Sequence, residues 1–546
     1  MEKIFQGNLV DLENRRIFPA EVAVREGCIA SIREVDETFS TYLSPGFVDA
    51  HVHVESSLLI PTEFARLAVL HGTVATVSDP HEIANVLGLE GVEFMLRNAA
   101  KTPLKIFFGA PSCVPATPFE TAGASLGVAE IEQLLQKDQI LYLSEVMNFP
   151  GVINGDAEVL EKLRLARQYG KPVDGHAPGL RGQGLQRYIE AGIRNDHECF
   201  TLEEALEKRE KGMKIVIREG SAAKNFDELL PLLREFPEDC LFCTDDMHLD
   251  NLELGHINRL VVRAVAGGVD PLVALRVASV QAVEHYGLPV GLLREGDPAD
   301  FVELTDLVSF DVQRTILGGE VVAEKGQSLL PSVKEEPVNR FAAAEVGKAD
   351  LAITFTQEAP PQVRVIEALE NQLVTREQFY RPAVRAKEIV ADSARDLLKL
   401  VVHNRYAPAK PAVALVKGFG LQRGAIASSV GHDSHNILAV GVDDESLLQA
   451  IETLRQHGGG LAACDAGNEE AFFPLPVAGL MSHRDAFGAV RDYQKVEQLA
   501  HRLGSPLRAP FMTLSFMALL VIPDLKLSDR GLFDGRSFSF VPLLAD

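Results

Sequence analysis

The chain has 546 residues, of which 46% are hydrophobic and 24% are charged. This balance is typical of a folded protein with several domain-sized cores, and it excludes a disordered or fibrous chain. The 53 Lys and Arg residues against 77 Asp and Glu residues give a net charge of −24. A surface this acidic repels nucleic acids and anionic membranes, so we predict neither as a partner.

Short segments of alternating apolar and polar residues make up 1–43, with turns at Gly7 and Gly27. This pattern is typical of β-strands. A similar alternation of apolar and polar residues recurs around 300–322. We therefore predict that 1–43 and 289–335 pair into one small split β-sandwich domain. The N-terminal segment lacks the apolar core of a signal peptide, and we expect a cytoplasmic protein.

Between 44 and 288, short apolar runs alternate with amphipathic, helix-like stretches. This alternation is the pattern of βα units around a parallel sheet. Eight units in about 245 residues match the size of a (β/α)8 TIM-like barrel, which makes the predicted fold class α/β. The predicted strands span 43–51, 73–79, 104–109, 140–146, 172–176, 193–197, 214–217 and 240–244.

The six cysteines are spread over the chain without the spacing of a disulfide framework, which fits a reducing compartment. Cys240 and Cys243 form a CxxC pair inside an apolar run, with no second cysteine pair elsewhere in the sequence. We therefore interpret them as buried strand residues rather than as metal or redox groups.

Charge and proline content rise between 335 and 361, which predicts a surface connection or a poorly ordered stretch. Residues 362–546 mix strand and helix patterns and are predicted to form a C-terminal mixed α/β domain. The longest apolar run, 511–522, is shorter than the ~20 residues that span a bilayer. We expect it to be a buried strand or helix.

Ionisable side chains collect at the ends of the predicted barrel strands, where the loops of such a barrel build the active face. So many buried ionisable groups would be costly without a metal to pair them, so we predict a metal site. Six ligands are too many for one open catalytic ion, whereas two divalent ions accommodate them. The candidate ligands are His51, His53, Glu145, His176, His197 and Asp245.

The motifs of the chain resemble the amidohydrolase superfamily. The segment 45–53 reads PGFVDAHVH, and 296–302 reads GDPADFV after the barrel. Within that superfamily, 78–85 (SDPHEIAN), 218–225 (REGSAAKN) and 431–436 (GHDSHN) resemble bacterial adenine deaminases. The similarity extends over essentially the whole chain, including the C-terminal domain.

The resemblance implies that His51, His53 and Asp245 hold one ion, that His176 and His197 hold the other, and that Glu145 bridges them. Many relatives use a carboxylated lysine as the bridge, but here the fourth strand ends Leu143-Ser-Glu145. The resemblance suggests manganese, with ferrous iron or zinc as alternatives, since ligand type does not choose among them.

The implied reaction is the hydrolytic deamination of adenine to hypoxanthine and ammonia, in purine salvage, by a hydroxide that bridges the two ions. Asp245 is expected to move the hydroxide proton to the departing ammonia. Glu82 is expected to protonate a ring nitrogen, with a pKa raised by burial, although it could instead be a helix N-terminal acid. A homo-oligomer, such as a dimer, is also expected.

Three features stay open at this point. Asp79 and Arg218 are either substrate or metal contacts or members of structural salt bridges. The cluster of His432, Asp433 and His435 is either a second metal site, a substrate-side loop or a polar turn between strands.

Other functions remain to be distinguished. A zinc deaminase of the H-x-E and P-C-x-x-C type is rejected, because the only CxxC follows Asp239 rather than a proline. A cyclic amidase or N-acyl hydrolase would use the same metals with a different pocket. A non-catalytic barrel scaffold is the remote alternative.

Overall fold

The structure is a computed structural model that describes residues 2–370 and 372–545. The chain begins with three antiparallel strands. A short fourth strand pairs in parallel with the first of them. They are β1 (Lys3–Asp11), β2 (Arg16–Arg25), β3 (Cys28–Glu34) and β4 (Tyr42–Pro45).

Eight parallel strands follow, in two sheets. The first five are hydrogen-bonded in chain order, and so are the last three. They are β5 (Phe47–Val52), β6 (Thr73–Ser78), β7 (Lys105–Ala110), β8 (Ile140–Val146), β9 (Val173–Gly175), β10 (Asn195–Asp196), β11 (Lys214–Arg218) and β12 (Cys240–Cys243).

The parallel strands curl, so that the two sheets approach each other at both ends. The N–H of Arg194, just before β10, donates to the carbonyl of Val173 in β9 at 3.3 Å. At the other end, Val52 of β5 forms a parallel bridge with Asp245, just after β12. The carboxyl ends of distant strands are thereby brought to one region.

Helices connect these strands and cover the outer face, and several begin at a polar cap. Asp156 accepts the Val159 N–H, Thr201 accepts the Glu204 N–H, and Asp270 precedes a proline at the first helical position. The helices are α1 (Pro61–Ala68), α2 (His81–Leu87), α3 (Leu89–Ala99), α4 (Val128–Leu135), α5 (Phe149–Asn154), α6 (Ala157–Gln168), α7 (Gly182–Glu190), α8 (Leu202–Glu210), α9 (Phe226–Glu235), α10 (Leu249–Leu254), α11 (Ile257–Ala266), α12 (Pro271–Val277) and α13 (Val280–Tyr286).

Four later strands return to the N-terminal sheet. They are β13 (Phe301–Leu304), β14 (Val312–Leu317), β15 (Glu320–Glu324) and β16 (Gln327–Ser328). The strand order of the resulting eight-stranded sheet is β16-β15-β14-β13-β4-β1-β2-β3. The strands that pair across its centre therefore come from chain segments about 260 residues apart.

The segment 329–361 has little regular structure, apart from the 3₁₀-helix Lys348–Leu351 and the short strand β17 (Ile353–Thr354). Phe341 and Val346 nevertheless pack against buried residues of the following domain. This stretch is thus a connection that lies on the C-terminal domain, rather than a poorly ordered one.

A nine-stranded sheet forms the centre of the C-terminal region, in the order β19-β18-β23-β22-β25-β24-β26-β27, with β31 on β18. Its strands are β18 (Gln362–Ala368), β19 (Thr375–Tyr380), β22 (Leu398–His403), β23 (Ala412–Lys417), β24 (Ala425–Ser428), β25 (Ile437–Gly441), β26 (Gly460–Asp465), β27 (Glu469–Pro474) and β31 (Leu544–Ala545). Two smaller sheets accompany it: β20 (Ala383–Arg385) and β21 (Glu388–Val390) pair with β17, and β28 (Leu525–Ser528), β29 (Gly531–Asp534) and β30 (Ser539–Phe540) pair with one another. Three helices pack around them: α14 (Asp444–His457), α15 (Ala486–Arg502) and α16 (Pro510–Ser515).

Two expectations about apolar segments are confirmed. The run 511–522 is buried and contains most of α16 and the 3₁₀-helix Phe516–Ala518. Cys240 and Cys243 are buried residues of β12, and all six cysteines are unpaired. In the described residues, the helices are too short or too polar to cross a membrane.

One predicted strand is wrong in its extent. The run 43–51 is split, because β4 stays in the N-terminal sheet while β5 opens the parallel sheet. Gly46 lies between them, and a Cβ atom at Gly46 would lie only 2.1 Å from Val74 Cγ1. The chain can change sheets here because this glycine lets the backbone pass directly against β6.

We predict that Gly46→Ala destabilises the protein by about 1–3 kcal/mol, since the added methyl group overpacks the contact with Val74. Thermal unfolding measures the effect. Val74→Ala opens space at the same contact. The double variant should therefore lose less free energy of unfolding than the two single variants lose together. Additive losses would contradict the steric explanation.

Candidate metal centre and active site

Glu145, near the end of β8, lies between two groups of histidines. Its Oε1 atom is 3.4 Å from His53 Nε2. Its Oε2 atom is 2.7 Å from His176 Nδ1 and 3.2 Å from His197 Nε2. Each oxygen of this carboxylate therefore faces a different set of imidazoles.

Asp245 approaches the same centre from the end of β12. Its Oδ1 atom is 3.0 Å from His53 Nε2 and 3.4 Å from His51 Nε2. The backbone sets this position, because the Asp245 N–H donates to the His51 carbonyl and the Asp245 carbonyl accepts from the His53 N–H. Asp245 also has a φ of 55°, in the left-handed region that non-glycine residues rarely adopt. Such strain is characteristic of functional sites.

The six predicted ligands are buried and converge at the carboxyl ends of β5, β8, β9, β10 and β12. Within the described residues, both ring nitrogens of His51 and Nε2 of His176 are buried without a hydrogen-bond partner. Unpartnered buried polar atoms are costly, and a cation would satisfy them. Imidazoles with carboxylates form a donor set that fits divalent ions.

The two carboxyl groups are held in their charged form. Burial raises the pKa of Glu145, but His176, His197 and His53 outweigh it and hold the pKa well below its ordinary value. Burial likewise raises the pKa of Asp245, and here Arg218 is the largest opposing influence, so the pKa lies well below its usual range. Carboxylates are the form that binds cations.

Arg218, the last residue of β11, forms salt bridges with two carboxylates. Its Nη1 atom lies 2.5 Å from Asp245 Oδ2 and also bonds Glu198. Arg218 is absent from the lining of the cavity described below. It therefore forms the buried salt bridge that the sequence left open, and it holds Asp245 rather than facing the cavity.

Asp79 acts on His81 in a similar way. Its Oδ1 atom accepts the His81 N–H at 3.0 Å, and its Oδ2 atom is 3.1 Å from His81 Nδ1. Asp79 does not line the cavity either. His81 itself lies 3.4 Å from Glu145 Oε1, measured from Nδ1.

The surroundings of Glu82 lower its pKa, whereas the sequence predicts a pKa raised by burial. Burial raises its pKa, but His432, His81 and His435 outweigh burial and hold the pKa well below its ordinary value. Oε1 of Glu82 is hydrogen-bonded to Nδ1 of His432, and Oε2 lies 2.5 Å from His435 Nε2. Glu82 is therefore a carboxylate enclosed by imidazoles rather than a free acid.

A cavity of about 30 Å³ opens onto this cluster. Histidine and carboxylate side chains form one side of it, whereas Leu373, Phe516 and Leu519 of the C-terminal region form an apolar wall. The sequence predicts neither this wall nor Glu198, and it gives no role to Asp246 or His81, although both follow predicted strands. Adjacency to a predicted ligand or strand end was the only available signal for the last three. Nothing in a one-dimensional pattern brings 373 or 516–519 to the parallel sheets.

Comparisons with known proteins give a consistent result. Residues 42–322 match the amidohydrolase family, and 372–539 match the adenine deaminase C-terminal domain. The chain is 54% identical to the adenine deaminase of Sulfurovum sp. (strain NBC37-1), with 98% of each protein covered. It is 53% identical to that of Salinibacter ruber, with 99% of this chain and 98% of the relative covered. A solved β-aspartyl dipeptidase from Fervidobacterium islandicum is similar at 15% identity and a TM-score of 0.47, covering 62% of this chain and 100% of that one.

We predict that Glu145→Gln lowers the metal content of the purified protein, because a neutral amide replaces the carboxylate that both groups of histidines face. Elemental analysis measures ions per chain. Glu204→Gln is the matched control, since Glu204 is equally buried but pairs with Lys208 outside the cluster. An unchanged metal content in Glu145→Gln would contradict the role.

We also predict that Arg218→Met destabilises the metal-free protein by about 3–5 kcal/mol, because Glu198 and Asp245 lose their buried counter-cation. Thermal unfolding checks this, and added Mn²⁺ should recover part of the loss by supplying positive charge. Arg181→Met is the control, because Arg181 pairs with Glu203 and Glu207 at the surface, where such pairs contribute little. Equal losses in the two variants would argue against the buried ion pair.

Proposed function

Because the chain belongs to the adenine deaminase family of the amidohydrolases, we propose that it catalyses the hydrolytic deamination of adenine to hypoxanthine and ammonia. The full-length similarity at 54% identity carries this proposal. The buried cluster of four histidines and two carboxylates supports it, since hydrolysis of a C–N bond requires an activated water. The match to the adenine deaminase C-terminal domain favours it over a cyclic amidase.

The proposed architecture places the two parallel sheets as arcs of one (β/α)8 barrel over 44–288. The bridge between Val52 and Asp245 and the contact between β9 and β10 support this closure. The proposed barrel is flanked by a split β-sandwich domain, 1–43 plus 289–335, and by the C-terminal domain, 362–546. A cytoplasmic location is proposed from the unpaired cysteines.

In the proposed centre, His51, His53 and Asp245 would hold one divalent ion, and His176 and His197 would hold the other. Glu145 would serve both ions, which is supported by the different histidines that its two oxygens face. Manganese is the proposed metal, with ferrous iron or zinc as alternatives. When bound, the ions supply hydroxide at neutral pH by lowering the pKa of water.

The residues of the chain would then move protons and exclude solvent. Asp245 accepts the hydroxide proton and passes it to the departing amine. Arg218 orients Asp245 through its Oδ2 atom, and Asp79 orients His81, so both act through neighbours rather than on the substrate. The apolar side chains of Leu373, Phe516 and Leu519 keep bulk water from the reacting groups.

The cavity at the candidate centre has room for a water molecule beside the polar side chains. A second cavity of about 390 Å³ lies next to the first, and Met147 lines both. It is mostly apolar and includes Phe149, Phe200 and Phe538. A planar aromatic base suits such a lining on its path to the centre.

We predict that the protein, purified with added Mn²⁺, converts adenine to hypoxanthine and releases one ammonia per turnover with two ions bound per chain. Ultraviolet absorbance, ammonia detection and elemental analysis follow the three quantities. Removal of the metal with a chelator should abolish turnover, and Mn²⁺ should restore it. A metal-loaded protein that leaves adenine unchanged but opens dihydropyrimidines or hydantoins would contradict the proposal.

A further inference from the structure

The segment 431–436 of the C-terminal region reaches the proposed active site. It lies between β24 and β25, yet His432 and His435 both contact Glu82 at the start of α2. The sequence left this segment open between a second metal site, a substrate-side loop and a polar turn between strands. The hydrogen bonds of the two histidines distinguish these alternatives.

His435 is a support for Glu82. Its Nδ1 atom accepts the Gly431 N–H at 3.2 Å, so a neutral ring must carry its proton on Nε2. Burial lowers the pKa of His435, which favours the neutral ring. Since Nε2 lies 2.5 Å from Glu82 Oε2, its proton faces the carboxylate, and no lone pair is left there for a cation.

Both oxygens of Glu82 in turn lie close to imidazole nitrogens. His432 Nδ1 is hydrogen-bonded to Oε1, and His435 Nε2 contacts Oε2. A carboxylate in these contacts carries no proton of its own to transfer. It instead stabilises positive charge on the adjacent imidazole of His432.

His432 presents its other nitrogen to the cavity. Its ring is 2% exposed, stacks on Phe516 at 4.7 Å, and lines the same cavity as Glu145 and Asp245. Nε2 is buried and has no hydrogen-bond partner among the described residues. The nearest carboxylate oxygen, Asp246 Oδ1, is 3.9 Å away and already accepts from the Ser56 hydroxyl.

We propose that His432 is a catalytic residue, whose Nε2–H protonates a ring nitrogen of the purine, and that Glu82 is the positioning residue behind it. This role rests on the proposed function. It makes the C-terminal domain part of the active site, because the proton donor comes from that domain and the metal ligands come from the barrel region.

The hydroxide oxygen forms a bond to the amino-bearing carbon, the electron pair of the adjacent C=N bond moves to the ring nitrogen, and that nitrogen takes the proton from His432. The hydroxyl proton then passes through Asp245 to the amino group, the C–N bond breaks, and ammonia leaves as the C=O bond forms. The proton released when water supplied the hydroxide returns to His432, so the net reaction consumes one water.

The charge state of His432 agrees with this role. Burial lowers its pKa, but Glu82 and Asp246 outweigh burial and raise the pKa to about 9. At neutral pH both ring nitrogens then carry protons, one toward Glu82 and one toward the cavity.

The first test compares His432→Asn and His432→Gln with the wild-type enzyme on adenine. Asn can keep the contact with Glu82 but lacks Nε2, and Gln places a non-acidic amide near the Nε2 position. Both should lose about 10²–10⁴-fold in kcat with little change in KM, with two ions retained and unfolding temperatures near wild type. His403→Asn is the control, because His403 is a buried histidine of the same domain that bonds Ala344 and does not line the cavity.

The second test separates the roles of His432 and Glu82. If Glu82 acts only through His432, Glu82→Gln should lower kcat less than His432→Asn does, and the double variant should be no slower than His432→Asn. Additive losses, or a larger loss in Glu82→Gln, would make Glu82 the donor and overturn the proposal.

Three other results would also overturn the proposal. A folded His432→Asn enzyme could have a normal kcat. The His432 variants could bind fewer ions, which would identify His432 as a ligand. The loss in His403→Asn could be as large as that in His432→Asn. A wild-type enzyme inert on adenine would overturn the proposed function together with this role, whereas an active wild type with an unimpaired His432 variant would overturn the role alone.

Discussion

The candidate site depends on the contacts that the Glu145 carboxylate makes with the surrounding histidines. Glu145 is 3% exposed, and its two oxygens face histidines that come from three different strand ends. Charges in such an environment are stable only when they are paired. The imidazoles around Glu145, and Arg218 beside Asp245, are therefore as necessary to the fold as to the chemistry. The parallel sheets provide this pairing because their strands all end at the same edge.

The C-terminal region closes the site. It contributes the apolar wall of Leu373, Phe516 and Leu519 and the two imidazoles that surround Glu82. Further buried contacts hold it on the parallel-sheet region: His248 is hydrogen-bonded to the Tyr493 hydroxyl, and Glu63 accepts the Ala486 N–H at the start of α15. The cavity is therefore an interface between two chain regions, a common position for small-molecule sites.

Lys526 shows how this wall is held. Its buried ammonium group donates to the carbonyls of Leu373 and Phe516, and both of these residues line the cavity. Burial lowers the pKa of Lys526 to about 7. A single side chain thus ties together two parts of the wall that are more than 140 residues apart in sequence.

Periodicity and strand-end chemistry are properties of the sequence itself. The parallel strands lie close to the predicted runs because a buried strand needs an apolar stretch of limited length. The six candidate ligands can be picked out from the sequence because ionisable residues at such strand ends are costly without a partner. The sequence does not predict that the first apolar run divides at Gly46 into β4 and β5. This division depends on close packing against Val74, which lies in another strand. Only the tertiary structure decided which side chains touch: it paired Arg218 with Asp245, brought 431–436 to Glu82, and so gave that carboxylate a low pKa instead of a raised one. Burial can be predicted from apolar pattern, but the sign of a pKa shift depends on charges that arrive from more than 300 residues away.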